Sequence, residues 1–99
     1  MRYDKLAEVY VKELVEADDF GGYEEKHVLV NTIKAFVTPA TDELTIENNV
    51  IVKVTMTKLF SKQDIPSDVT LVKCDGKEYE VLSFTDFGKV TMLKLSEVR

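Results

Sequence analysis

The stretch Val50-Ile51-Val52-Lys53-Val54-Thr55-Met56-Thr57 alternates in chemistry with a period of two residues. The even-numbered positions from 50 to 56 are all apolar, whereas the odd-numbered positions between them include Lys53 and a threonine. A period of two is the spacing of side chains on one face of a β-strand. The stretch therefore predicts a strand with one covered face and one face that is partly wet.

The chain before this strand shows the same alternation with one slip of phase. Apolar positions alternate up to Val30 and resume out of phase at Ile33, with the slip at Asn31-Thr32. An extra residue in one strand of a pair restores the inward face and bends the strand. We therefore predict a β-bulge at this point, in a strand that His27 opens.

The strongest turn signal in the chain is Asp75-Gly76, which separates two β-rich runs. Asp-Gly favours a tight two-residue hairpin loop with positive φ angles. In that register Lys73 faces Glu78 and Val72 faces Tyr79, so opposite charges pair on one face and apolar groups on the other. The run predicts a β-hairpin.

Two segments leave the secondary structure open. Residues 3–17 could place apolar side chains on one helix face, but their alternation and the turn at Gly21-Gly22 favour a strand around residues 8–16, with a short helix as the alternative. Residues 38–49 are polar and begin beside Pro39, so we expect a long mobile loop, with a short hairpin through Asn48-Asn49 as a further possibility. Strands at about ten-residue spacing predict a small antiparallel β-barrel or sandwich of about six strands.

The composition bounds the class of protein. A chain of 99 residues forms one domain, residues 1–99. Its 18 acidic and 13 basic residues give a net charge of −5, which opposes a surface that grips nucleic acid. One cysteine, Cys74, excludes an internal disulfide and suits a reducing compartment. No apolar run approaches the length that spans a membrane, so no membrane partner is expected.

Residues that could carry chemistry are few. His27 is the single histidine, and a hard-cation site with Asp18-Asp19 and Glu24-Glu25 matches no calcium-loop spacing. Cys74 and His27 are the only nucleophile and base pair, but Asp75 beside the thiol would raise its pKa. Glycine-rich phosphate loops are absent from the sequence. We therefore expect no catalytic site, no metal and no cofactor.

Three aromatic residues fall in stretches predicted as loops: Phe20, Tyr23 and Phe87. Large apolar groups in loops need cover, so these three are candidates for a contact surface. A base-stacking platform on a small barrel is the alternative, but the only arginines, Arg2 and Arg99, lie at the two ends of the chain.

The order of these pieces resembles the head closure, or head-tail joining (stopper), proteins of tailed bacteriophages. The matching pieces are a first strand, Asp18-Asp19-Phe20-Gly21-Gly22-Tyr23-Glu24-Glu25, the run from His27 to Pro39, a polar loop, Val50 to Met56, and a hairpin ending in Gly76-Lys77-Glu78-Tyr79-Glu80-Val81. The resemblance implies a small β-barrel that forms a ring below the portal and adaptor, closes the channel after DNA packaging and docks the tail.

The resemblance also implies residues and partners. The loop after the second strand gates the channel in that family, which here maps onto Asp42, Glu43, Glu47, Asn48 and Asn49. Negative groups would repel the DNA duplex and keep it from sticking. The implied partners are other copies in a homo-oligomeric ring, portal or adaptor proteins and tail proteins, with packaged DNA only as channel content. The implied location is the neck of a virion assembled in the cytoplasm of a bacterial host.

A different class of function stays open at this point. A small β-barrel could instead be a module that binds a nucleic acid or a peptide. In either case the lack of an activated nucleophile and of a metal-binding motif leads us to expect that the protein is not an enzyme.

Overall fold

The computed structural model describes residues 2–16 and 21–98. Within these residues all regular structure is antiparallel β-strand, and none is helix. The strands are β1 (Lys5–Glu16), β2 (Tyr23–Val37), β3 (Thr41–Glu47), β4 (Val50–Ser61), β5 (Val69–Cys74), β6 (Lys77–Asp86) and β7 (Thr91–Glu97). The prediction of a mainly β fold is confirmed, with one strand more than the six expected.

Six of the strands close into a ring. The order of neighbours is β2-β1-β5-β6-β7-β4, and β4 returns to β2 through the pairs Phe36–Phe60 and Val37–Leu59. A sheet whose last strand pairs with its first is a barrel, so the barrel is confirmed over the sandwich. β3 lies outside the ring and pairs with β4 only.

The core fills the interior of this barrel. Alternate residues of each strand point inward, and every strand of the ring contributes buried apolar side chains. The fully buried ones of largest volume are Val9, Ile33, Leu59, Val72, Leu93 and Leu95. Their removal from water stabilises the fold, since each such side chain contributes about 1.5–3 kcal/mol when fully buried.

The first strand is confirmed and begins earlier than predicted. β1 starts at Lys5 and pairs with β2 along its whole length. The alternate residues Ala7, Val9 and Val11 point into the core, which is the period of two of a β-strand. A helix would not place three alternate residues on one face. The alternative of a short helix is wrong for the described part of the segment.

The predicted bulge lies in β2, one residue earlier than the slip of phase suggests. Val9 pairs with Asn31 while Tyr10 pairs with Leu29, so Val30 is the extra residue. It leaves Val30 half exposed and returns Ile33 to the core. The bulge thus performs the role expected of it.

Two predictions about the start of β2 are wrong. His27 does not open this strand, because β2 begins four residues earlier, at Tyr23, and Tyr23 itself is in a strand rather than a loop. Residues 23–27 pair with residues 12–16 of β1, and this ladder extends beyond β5, whose pairing with β1 ends at Val11. Exposed charged side chains on both strands concealed the strand in the sequence.

The Asp75-Gly76 hairpin is confirmed with its register. Asp75 has φ 52° and Gly76 φ 74°, as a two-residue turn of this type requires. Val72 pairs with Tyr79 and Lys73 with Glu78. The Lys73 ammonium lies 3.4 Å from the Glu78 carboxylate.

The long loop predicted for residues 38–49 is largely a strand. Residues 41–47 form β3, which pairs with residues 50–56 of β4 in unbroken register. The hairpin through Asn48-Asn49 is confirmed, with φ 49° and 64° at the two residues. Pairing with β4 satisfies the backbone of this polar segment, which a mobile loop would leave to water.

Candidate assembly surface

A two-stranded hairpin projects from the barrel, and we call residues 41–56 the arm. β4 passes from the barrel into the arm. Its residues 57–61 pair with β7, but this pairing stops at Leu95, and residues 96–97 of β7 pair with β6 only. The radius of gyration is 15.3 Å, against about 12.6 Å for a compact domain of this length. The arm is one source of this extension.

Both long edges of the arm are open among the described residues. In a two-residue hairpin the pair that flanks the turn is hydrogen-bonded, and such pairs then alternate along the ladder. Glu47 and Val50 flank the turn. The N–H and C=O groups that point away from the partner strand are therefore those of Ile51, Lys53 and Thr55 on β4. On β3 they are those of residues 42, 44 and 46.

One face of the arm carries three large apolar side chains in the open. Leu44, Ile46 and Ile51 are 75%, 76% and 69% exposed, and we call them the apolar stripe. They share a face because Ile46 pairs with Ile51 and Leu44 lies two residues along β3. By the alternation of β4, this face continues the side that points into the barrel at Leu59. The arm thus extends the barrel wall, and no strand of the described residues packs on its inner face.

The base of the same face is polar and ordered by short contacts. The Lys53 ammonium lies 3.2 Å from the Asp42 carboxylate, and the Thr55 hydroxyl donates to that carboxylate at 2.7 Å. The hydrogen bond from Thr55 and then the neighbouring Lys53 lower the pKa of Asp42 below its ordinary value. Asp42 is therefore ionised, and its orientation is fixed, at neutral pH.

The opposite face of the arm is better covered. Val52 and Val54 are partly buried beside Glu43, whose carboxylate lies 3.8 Å from the Lys58 ammonium. The Thr45 hydroxyl oxygen on this face is buried without a hydrogen-bond partner. On this face Val50, beside the tip, is the one large apolar side chain that is mostly exposed among the described residues, at 61%, against three on the apolar stripe.

The five residues predicted for a gating loop all lie in the arm. Asp42, Glu43 and Glu47 are in β3, and Asn48-Asn49 form the turn at the tip. The structure brings them together on a paired hairpin rather than a loop. The apolar stripe beside them was missed, although the alternation of Leu44 and Ile46 with polar residues was the signal that could have found it.

Two of the three aromatic contact candidates lie within the described residues, on different elements. Tyr23 is 72% exposed at the start of β2, and Phe87 is 64% exposed in the turn between β6 and β7. The Asp86 carboxylate orders this turn by accepting from the Gly88 amide at 2.7 Å. Phe20 lies outside the described residues. The contact role of these residues stays a prediction.

The one nucleophile and base considered from the sequence are separated by the fold. Cys74 lies in the core, and burial, followed by the charge of Asp75, raises the pKa of its thiol. His27 is exposed beside Lys12 in an open cleft of about 320 Å³ outside the barrel. A thiol held neutral inside the barrel is a packing group, not a nucleophile.

Two further findings concern residues 2–16 and 21–98 only. No group of three or more His, Cys, Asp or Glu side chains there is arranged to hold a metal ion. Nor does that part of the chain contain a helix long and apolar enough to cross a membrane.

Among solved structures, the fold matches a chain of the virion of a native gene transfer agent (GTA) particle. The two superpose with a TM-score of 0.66 at 15% sequence identity, and the match covers 99% of this chain and 97% of that one. At this identity the similarity establishes a shared fold over the whole chain. No protein-family model matches the sequence. No curated protein matches it either.

Proposed function

We propose that this protein is a structural subunit of a phage-like particle, acting as a head-tail connector of the head closure, or stopper, type. In this role copies form a ring at the portal vertex, seal the DNA channel and dock the tail. The observation that carries the proposal is the whole-chain fold match to a component of a gene transfer agent virion. The order of sequence motifs supports the narrower connector role.

The arm is the part that would reach into the channel. Seven paired residues at about 3.3 Å each give it a length of about 23 Å, with Asn48-Asn49 at the tip. A ring of such arms could narrow or open a channel by a small tilt of each hairpin. A paired hairpin suits a gate because it moves as one stiff body.

The charge of the arm suits contact with passing DNA without adhesion. It holds three carboxylates and a single ammonium. Asp42 and Glu43 each have a lysine within 4 Å, whereas Glu47 lies next to the tip. Repulsion of the duplex is therefore strongest at the tip and weaker at the base of the arm.

The remaining surfaces would serve the protein partners. Exposed Tyr23 and Phe87 are proposed contacts to portal, adaptor or tail proteins, since aromatic side chains dominate such interfaces. DNA is present only as channel content in this role. No step of it requires a nucleophile, a metal or a cofactor.

Electron microscopy of particles made without this protein tests the proposal. We expect heads that lose their DNA and lack tails, and recovery on supplying the wild-type chain. Glu47→Gln alters the tip of the arm, and Glu80→Gln on the barrel wall is its matched control. If particles that lack the protein keep their DNA and attach tails normally, the connector role is contradicted. In a separate measurement, DNA binding by the purified chain at low salt would favour a nucleic-acid-binding module.

A further inference from the structure

We propose that successive copies of this chain join through their arms, edge to edge, with the β4 edge of one arm pairing with the β3 edge of the next. That this pairing closes a ring in a particle rests on the proposed function. The pairing between two copies does not depend on that function and can be tested with the purified chain. The occupant of the open edge is thus a second copy.

The exposed area is the first argument for a second copy. The chain exposes 7012 Å², whereas a compact folded monomer of 11.3 kDa exposes about 5,700 Å². The excess of about 1,300 Å² approaches the surface that one subunit loses in two standard interfaces, about 800 Å² in each. Part of this excess is on the arm, where the apolar stripe is most exposed. A second arm laid against the first would cover it.

Charge complementarity selects the two edges that meet. β3 carries Asp42, Glu43 and Glu47 and no basic residue, whereas residues 50–56 of β4 carry Lys53 and no acidic residue. Pairing β3 with β3 of another copy would oppose like charges, which destabilises a sheet. Pairing β4 with β3 instead brings an edge with one ammonium and no carboxylate to an edge with three carboxylates, of which Asp42 lies on the same face as Lys53. The favoured contact is therefore between two different edges, not a two-fold symmetric one.

The geometry of the hairpin permits this contact to repeat. β3 and β4 run antiparallel, so a neighbouring β3 beside β4 is again antiparallel, and its own β4 is open to a third copy. Contacts between unlike patches of one surface generate rings when they close. A shift of two residues relative to the pairing within one hairpin would set Ile51 opposite Leu44 of the next copy, and Lys53 opposite its Asp42. The apolar stripe then becomes continuous around the ring.

Disulfide trapping between two variants tests the pairing. An Ile51→Cys chain and a Leu44→Cys chain, the second made longer by a tag, are mixed at high concentration under mild oxidation. As the control, a chain with Leu82→Cys, at an exposed position of β6, replaces either of the two. We expect at least roughly tenfold more mixed dimer from positions 51 and 44 than from any control mixture, because edge pairing raises the effective concentration of the two thiols. The native Cys74 stays in all chains, since it is buried.

A second pair of variants tests the role of the open backbone edge. Lys53→Pro removes an amide that points away from β3, so the hairpin itself keeps its ladder. Lys53→Ala removes the same charge and keeps the amide. In the Ile51→Cys chain we expect Lys53→Pro to reduce trapping to the control level and Lys53→Ala to retain most of it.

Two results would overturn the inference. One is a yield of the 51–44 dimer no greater than that of the control mixtures. The other is a predominance of 51–51 or 44–44 dimers, which would mean two-fold symmetric pairing. Neither result bears on particles that lack the protein, so a failure of the pairing and a failure of the connector role are separate outcomes.

Discussion

Leucine-to-alanine substitution at two positions should separate the barrel from the arm. Leu93 in β7 is fully buried in the core, and Leu44 in β3 is 75% exposed on the apolar stripe. The chemical change is the same, and both residues lie in strands of one sheet. We expect a large loss of stability at Leu93 and almost none at Leu44.

The magnitude follows from burial. Removing a fully buried leucine side chain costs about 2–5 kcal/mol, including the cavity that remains. Full burial of a leucine contributes roughly 1.5–3 kcal/mol, and Leu44 is only about a quarter covered, so its contribution is roughly a quarter of that. Alanine retains part of the buried apolar surface. Leu44→Ala should therefore cost under about 0.5 kcal/mol. For 99 residues the entropy of unfolding is about 0.21 kcal/mol/K, so a loss of about 3 kcal/mol lowers the Tm by about 14 °C.

The assay is thermal and urea unfolding of dilute protein, in which self-association is negligible. Leu93→Ala should lower the Tm by more than about 10 °C, and Leu44→Ala should lower it by less than about 3 °C. Equal losses at both positions would refute the reasoning, because Leu44 would then be packed in the monomer. A loss below about 1 kcal/mol at Leu93 would refute the assignment of the core.

Three further predictions concern single residues. Asn49→Ala should destabilise the fold by about 1 kcal/mol in urea unfolding because alanine is strained at φ 64°, whereas Asn49→Gly should cost little. The pKa of Asp42 is lowered in the folded protein, so its carboxylate stabilises the fold at a pH above its pKa in the unfolded chain. This stabilisation is lost as the pH falls through the pKa of the folded protein. NMR titration should give Asp42 a pKa below 3.8, and Thr55→Val should raise that pKa because it removes the hydrogen bond from the Thr55 hydroxyl. The pKa of Cys74 is raised, so native protein should resist iodoacetamide at pH 9 while urea-unfolded protein reacts.

The sequence predicted those parts of the fold where apolar and polar residues alternate or a specific turn occurs. Val50–Thr57 and the Asp75-Gly76 hairpin follow a period of two or a specific turn, and both are strands in the structure. The bulge at Val30 was placed within a residue because a single insertion reverses the inward face. Local patterns of this kind need no knowledge of the partner strand.

The parts that were missed depend on distant partners. The barrel closes through only two residue pairs between β2 and β4, which no local pattern specifies. Residues 41–47 have few apolar side chains, and Leu44 and Ile46 are about three-quarters exposed. A strand whose apolar face has no cover within its own chain looks like a loop in the sequence. The five residues predicted for a gating loop lie in a paired hairpin, so the predicted loop was wrong, and their gating role stays a prediction.

The arm connects the fold to the proposed assembly. A long open edge with an exposed apolar face is a site where chains associate, and soluble proteins restrain such edges with charge. Here the acidic residues of β3 oppose pairing of like edges, while Lys53 on β4 permits pairing of unlike ones. A single such contact leaves one edge of each arm unpaired, whereas a closed ring leaves none. Isolated copies should therefore associate weakly, and copies held side by side on a ring-shaped partner should close together, since the partner raises their effective concentration.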